Sequence, residues 1–177
     1  GVVLEVAGGS GAGFSPGATH APARQREFAL NELGAVDGRI GIALLAEHRA
    51  TLMRIEREFG VPAPIVLAIW GRETDYGRYR LPHDAIRVLA TQGYVGRRKD
   101  FFRNELLAAL RMLQDGVPRV QMKSSWGGAM GLTQFLPSEF YTYAVDFDGD
   151  GRVDIWNSVP DALASAAKQL LGKGWQR

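Results

Sequence analysis

The chain has 177 residues, of which 46% are apolar and 23% charged, and its formal net charge is only +2. This composition is typical of a globular domain with a proper core, and no apolar stretch approaches the roughly 18 residues of a membrane helix. The absence of cysteine excludes disulfides, thiolate nucleophiles and Cys-based zinc sites. The mild positive charge, with no recognisable nucleic-acid-binding motif, predicts no nucleic-acid partner.

The first segment of the chain, residues 1–23, is rich in Gly, Ser, Ala and Pro. Such a segment cannot build a core, so we interpret it as a flexible linker, natural or left from cloning. Residues 24–177 then form the folded domain.

Apolar periodicity predicts a series of helices and almost no strand. The first helix carries its apolar residues at helical spacing, and the second is apolar all round and should therefore be central. The serine at 158 with the aspartate at 161 predicts a capping box for the last helix. The predicted helices cover residues 39–59, 64–74, 83–91, 98–114, 138–143 and 160–171.

Glu73 follows the apolar run of the second predicted helix, three and four residues after Trp70 and Ile69. It therefore shares a face with buried groups, and a carboxyl in apolar surroundings keeps a proton near neutral pH. The general acid of glycosidic bond cleavage needs this property. The alternative is a structural ion pair with a nearby arginine, at position 72, 78 or 80.

Most glycosidases use two carboxylates, and the sequence places no clear partner for Glu73. Asp75 turns away from it if the helix persists, and Asp84 cannot be positioned from its spacing. A mechanism with one carboxylate therefore stays open.

The segment from Ser125 to Phe135 combines closely spaced glycines with aromatic and amide side chains. Glycines let the backbone approach a ligand closely, and aromatic rings suit the faces of sugars. The alternative is a tight connection between helices, with Trp126 as a core residue.

The segment 146–151 reproduces the first half of a calcium loop, because aspartates alternate and a glycine follows at the sixth position. The usual loop has a glutamate at its twelfth position, where this chain has Asn157. The nearest later carboxylate is Asp161, so a closed cage needs a longer loop. We expect a structural cation, Ca²⁺ or Na⁺; the alternative is a solvated acidic turn.

At these three places, in order, the chain resembles the lytic murein transglycosylases of the membrane-bound B type. The matching segments are 68–77, 125–138 and 143–156, and the resemblance runs from about residue 24 to the end. It implies a mainly α, lysozyme-like helical domain, the catalytic core at 24–177, with an EF-hand-like loop.

The resemblance also implies a reaction. Glu73 takes the position of the family's sole catalytic acid and base, which protonates the oxygen between N-acetylmuramic acid and N-acetylglucosamine. The carboxylate then accepts the proton of the muramoyl C6 hydroxyl, whose attack on C1 gives a 1,6-anhydro end. The substrate thus supplies the nucleophile, and no catalytic cofactor is expected.

Further residues match positions to which the family gives a role. Ser125 and Gln134 match substrate-binding residues, and Phe101 lies where relatives carry a tyrosine against a sugar ring. The family's metal loop matches the aspartates Asp146, Asp148, Asp150 and Asp161.

Two departures from the family pattern bear on function. The chain ends at Arg177, where relatives continue with a segment carrying an Asn and Tyr motif beside the cleft, so we expect a fragment with an incomplete site. No lipid-anchor cysteine is present, so membrane attachment is not predicted.

The implied partner, peptidoglycan glycan strands, predicts a bacterial envelope location, in the periplasm. The alternatives are a hydrolytic muramidase and a non-catalytic, calcium-stabilised peptidoglycan-binding module.

Overall fold

The computed structural model describes residues 38–176, which are mainly helical as predicted. The predicted linker at 1–23 lies outside the described residues. Within them, no helix combines the length and the apolarity needed to cross a bilayer. The helices are α1 (Gly38–Glu47), α2 (Arg49–Phe59), α3 (Ala63–Thr74), α4 (Ala85–Val95), α5 (Lys99–Gln114), α6 (Pro137–Tyr143) and α7 (Val159–Gly172).

A small antiparallel pairing joins the start of α4 to the segment after α5. Strand β1 (His83–Asp84) pairs with β2 (Lys123–Ser124), and His83 lies opposite Ser124. A 3-10 turn at Arg119–Gln121 leads into β2. The near absence of strand in the described residues agrees with the sequence pattern.

Helix α3 lies in the larger of two cores, as its continuous apolar sequence predicts. It begins after Pro62, with a second proline tolerated in its first turn, and packs against α1, α2 and α7. Val66, Leu67 and Trp70 are almost inaccessible to solvent. Burial of one such side chain contributes about 1.5–3 kcal/mol, so the helix that ends in Glu73 is firmly held.

The second core lies between α4 and α5, which pack closely against each other. Leu89 of α4 and Met112 of α5 are fully buried there, together with Met122 and Met130. Met130 belongs to the glycine-rich segment, so that segment packs against the α4–α5 pair through this buried side chain.

The single helix predicted at 39–59 is two helices, with a break at His48. The backbone of His48 donates to Leu44 and accepts from Leu52, at 2.9 Å in both cases, so the chain bends without losing these bonds. The apolar face predicted for the first half is wrong, because Ile42 is 72% exposed and Leu45 is 37% exposed. Of these two helices, α2 is the one whose buried face periodicity identified correctly, because Leu52, Ile55 and Phe59 are buried.

The predicted capping box of α7 is half formed. The Ser158 hydroxyl accepts the backbone N–H of Asp161 at 3.3 Å. The Asp161 carboxylate does not accept the Ser158 N–H that would complete the box. It accepts instead the backbone N–H groups of Phe147, Asp148 and Asp154, which belong to the acidic loop, residues 146–154.

Candidate active site

Glu73 lies in the last turn of α3, on a helix whose neighbouring residues are buried. Burial raises the pKa of its carboxyl from 4.5 to about 7, against the opposing charge of Arg72. Within residues 38–176, no hydrogen bond or ion pair to this carboxylate is found. Burial therefore gives the predicted proton retention a structural cause, and Arg72 is the arginine whose charge acts against it.

The two other nearby carboxylates of the sequence are engaged elsewhere. Asp75 is the C-terminal cap of α3, and its carboxylate accepts from Arg78 at 2.6 Å. Asp84 caps α4 by accepting from the Arg87 backbone, and the Arg119 guanidinium beside it lowers the pKa of its carboxyl. Both carboxylates therefore have structural partners.

The chain leaves α3 through three consecutive residues in the left-handed region: Asp75, Tyr76 and Gly77 have φ values of 52°, 57° and 78°. Such a conformation costs a non-glycine residue about 1–3 kcal/mol and persists only where packing imposes it. Tyr76 supplies that packing, because its ring is buried edge-on against Trp70 at 5.6 Å. A Cβ on Gly71 would lie 2.8 Å from the Tyr76 ring, so glycine is required there.

Thr74 connects the end of α3 to the glycine-rich segment, a role that the sequence analysis missed. Its buried hydroxyl donates to the Leu132 carbonyl at 2.7 Å and accepts the Gly77 N–H at 3.2 Å. The Leu132 N–H in turn donates to the Ile155 carbonyl, just after the acidic loop, at 2.9 Å. The only available signal was a polar residue at the end of a buried helix.

The glycine-rich segment is tightly packed, but Trp126 is not a core residue. A Cβ on Gly131, whose φ is 76°, would lie 2.7 Å from the Ile155 carbonyl, which explains the glycine there. Trp126 is 59% exposed, so the alternative that made it part of the core is wrong. The segment is both a tight connection and a surface that carries an accessible aromatic ring.

Two polar side chains of this segment keep hydrogen-bonding capacity that the described residues do not use. The Ser125 hydroxyl is buried and has no hydrogen-bond partner among the described residues. Gln134 adopts a left-handed backbone with φ of 56°, and its Nε2 donates to the Gly131 carbonyl at 3.1 Å. This bond fixes the amide and leaves Oε1 as its accepting end.

Phe101 lies in the first turn of α5, half-buried, and its contacts are with residues near it in the chain. The Arg98 guanidinium lies 4.1 Å from the centre of its ring, and Phe102 packs edge-on at 5.1 Å. One face of the ring is therefore covered by a cation.

The acidic loop brings the carboxylates of Asp146, Asp148 and Asp150 together, with ligand oxygens within 4.8 Å of one another. The Asp146 carboxylate accepts the N–H groups of Gly149 and Gly151, at 2.7 and 2.8 Å. This pattern folds the loop around its first aspartate. These three carboxylates could supply part of the roughly 6–8 oxygen ligands that a calcium ion takes.

Asp161 is placed beneath the loop and is fully buried. Its Oδ1 accepts from Phe147 and Asp148, at 2.7 and 3.2 Å, and its Oδ2 accepts from Asp154 at 2.9 Å. The structure thus groups Asp146, Asp148 and Asp150 with one another, whereas Asp161, the fourth residue predicted for the metal, lies outside this group and holds the loop against α7.

The arrangement of a buried acid, a glycine-rich wall and an acidic loop coincides with a sequence match over most of the chain. The Transglycosylase SLT domain family matches residues 19–177. The chain belongs to this family. Membrane-bound lytic murein transglycosylase B of Escherichia coli (strain K12) is 36% identical over 137 residues, which cover 76% of this chain and 38% of that protein.

Solved structures agree with this SLT domain in fold. SltB3 from Pseudomonas aeruginosa in complex with NAG-NAM-pentapeptide is 47% identical, with a TM-score of 0.76 over 85% of this chain and 41% of that one. The Escherichia coli lytic transglycosylase Slt35 in complex with calcium is 32% identical, with a TM-score of 0.76 over 84% of this chain and 49% of that one. The predicted lysozyme-like helical fold is confirmed. The chain spans less than half the length of these relatives.

Proposed function

We propose that this SLT domain cleaves peptidoglycan as a lytic transglycosylase, at the bond between N-acetylmuramic acid and N-acetylglucosamine, and leaves a 1,6-anhydromuramoyl end. The observation that carries the proposal is the Glu73 carboxyl, whose pKa burial raises to about 7 at the end of a fixed helix. A carboxyl poised near the working pH both donates and accepts a proton efficiently. Relatives named as lytic transglycosylases are similar to this chain in sequence and in fold.

The proposed chemistry uses Glu73 twice. The protonated carboxyl donates to the bridging oxygen as the glycosidic bond breaks, so that N-acetylglucosamine leaves with a hydroxyl. The resulting carboxylate accepts the proton of the muramoyl C6 hydroxyl while that oxygen bonds to C1. Glu73 ends protonated, and no water is consumed. A nucleophile supplied by the substrate fits a site in which Asp75 and Asp84 are engaged by arginines.

Ser125, Gln134 and Phe101 are the proposed substrate contacts. An unsatisfied buried hydroxyl costs about 1–3 kcal/mol, and a sugar hydroxyl or acetamido group would satisfy Ser125. The fixed Gln134 amide presents an acceptor from the segment that Thr74 ties to the end of α3. At Phe101 a sugar ring would stack on the face opposite Arg98.

The acidic loop is proposed to bind a structural Ca²⁺, with Na⁺ as the competing ion. Asp146, Asp148 and Asp150 provide converging carboxylates, a donor set that suits a hard cation. Asp161 would support the ion site indirectly, because its carboxylate holds the loop backbone at Phe147, Asp148 and Asp154. The calcium complex of Slt35 supports the same reading for this related chain. Such an ion would neutralise the loop without taking part in bond cleavage.

The test is mass spectrometry of the fragments that the chain releases from purified sacculi. We expect 1,6-anhydro ends, and we expect release to fall by at least roughly 10²–10⁴ in Glu73→Gln. Reducing ends in place of anhydro ends would identify a hydrolytic muramidase. Binding to sacculi with no release by the folded wild-type chain would identify a non-catalytic binding module. Because the substrate belongs to the bacterial cell wall, the proposed location is the envelope, in the periplasm.

A further inference from the structure

A pocket of about 230 Å³ lies between α4 and the glycine-rich segment, apart from Glu73, Ser125 and Gln134. Its apolar lining comes from Val88 and from the Trp126 ring, which is 59% exposed. The residues that line it are His83, Arg87, Val88, Thr91, Gln92 and Trp126. None of them has a part in the acid–base chemistry proposed for Glu73.

The backbone position of Trp126 is fixed by a hydrogen-bonded turn that includes it. The Gly128 N–H donates to the Ser125 carbonyl at 3.0 Å, and the Ser125 N–H donates to the Ala129 carbonyl at 2.9 Å. Gly128 has a φ of 86°, and a Cβ there would lie 2.4 Å from Leu89 of α4. The turn is therefore pressed onto α4, which fixes Trp126 beside the same helix that carries Val88 and Gln92.

The lining of the pocket contains an arginine and no carboxylate. The Thr91 hydroxyl is already used, because it donates to the Arg87 carbonyl at 2.8 Å. Asp84, the nearest carboxylate along the chain, is neutralised by Arg119 at 2.9 Å. Among the described residues, the Arg87 guanidinium and the Gln92 amide have no hydrogen-bond partner. The exposed Lys123, paired with Asp84 across the β1–β2 ladder, adds positive charge nearby.

We propose that this pocket binds the peptide carried by the muramoyl residue, with Arg87 on a peptide carboxylate and Trp126 and Val88 on its aliphatic groups. The inference rests on the proposed function for the identity of the polymer. A neutral sugar has no need of a guanidinium, whereas a short peptide combines carboxylates, amides and small apolar side chains. Trp126, which lines the pocket, directly follows Ser125, the proposed sugar contact. The peptide branch of a muramoyl residue bound at Ser125 would therefore begin beside the pocket.

The experiment compares two probes by calorimetric titration into the wild-type chain: NAG-NAM-pentapeptide and the same disaccharide without the peptide. We expect the wild type to bind the peptide-bearing probe at least tenfold more tightly. Arg87→Gln should lose about tenfold of that affinity, since a hydrogen bond to a charged group is removed. Its affinity for the bare disaccharide should equal that of the wild type. Arg49→Gln, an exposed arginine at the start of α2, is the matched control and should change neither value.

The inference is overturned if the wild type binds both probes equally or binds neither, or if Arg87→Gln weakens both to the same extent. The thermal midpoint of Arg87→Gln should stay close to that of the wild type, because the bond from residue 87 to Asp84 comes from the backbone N–H and Arg119 still pairs with Asp84. Failure of the proposed function is a separate result: the wild-type chain would release no fragments from sacculi, while the difference between the probes would still be measured.

Discussion

Replacing Glu73 by glutamine removes the titrating carboxyl while keeping the size and shape of the side chain. In the folded chain the pKa of this carboxyl is about 7, against an ordinary value of 4.5. Above both values, the ionised carboxylate therefore lowers the free energy of unfolding by about 3 kcal/mol. That is a large part of the 5–15 kcal/mol that stabilises a typical domain.

The sign follows from where the proton is held. Below pH 4.5 the carboxyl is protonated in both the folded and the unfolded chain, so it costs no stability. Between pH 4.5 and about 7 the unfolded chain releases the proton first, and the folded state loses stability as pH rises. Glu73→Gln should therefore match the wild type near pH 4 and exceed it by up to about 3 kcal/mol near pH 8.

Urea denaturation of both proteins across this pH range measures the difference. Asp100→Asn is the control, because its carboxylate is 95% exposed and its removal should change stability by no more than about 0.5 kcal/mol at any pH. Parallel stability curves for the wild type and Glu73→Gln would refute the argument that burial holds the proton on Glu73. The same titration predicts that kcat/KM on sacculi falls as pH rises above about 7, since the acid that donates the proton is lost.

Three further predictions address the surroundings of the site. Thr74→Val removes the donor to the Leu132 carbonyl and should lower the free energy of unfolding by about 1–3 kcal/mol in urea denaturation, whereas Thr74→Ser should recover most of it. Ser125→Ala and Gln134→Ala should slow fragment release from sacculi, each by less than Glu73→Gln; unchanged rates would make both residues structural. Calcium at a hundredfold excess over its dissociation constant should stabilise the wild type by about 2.7 kcal/mol and raise its melting temperature. Asp146→Asn should abolish that rise, and a wild type with no calcium-dependent rise would leave the loop a solvated turn.

Helices whose signal was local could be predicted from the sequence. The apolar run and the prolines before it gave α3 within one residue at its start, and Ser158 marked the start of α7. Ile42 and Leu45 repeat at the same spacing as the buried residues of α2, yet they are exposed, because periodicity does not say which face meets the core.

The sequence predicted which residue types the candidate site contains, but not the long-range hydrogen bonds that join its segments. The raised pKa of Glu73 followed from its place after a buried run, but the contact of Thr74 with Leu132 spans 58 residues of chain. No local pattern encodes such a pairing. Likewise, Asp161 has three backbone partners that come from the folding of the loop onto α7.

Leu132 takes part in the site through its main chain, since its carbonyl accepts from Thr74 and its N–H donates to Ile155. Both hydrogen bonds use main-chain atoms, so a change of side chain at position 132 does not remove either of them. Proline is the exception, because it has no N–H to donate. A saturation library at this position should therefore accept other apolar side chains, which keep the packing of Leu132 against the larger core, and reject proline. The backbone of this one residue thus joins the end of α3 to the chain that follows the acidic loop.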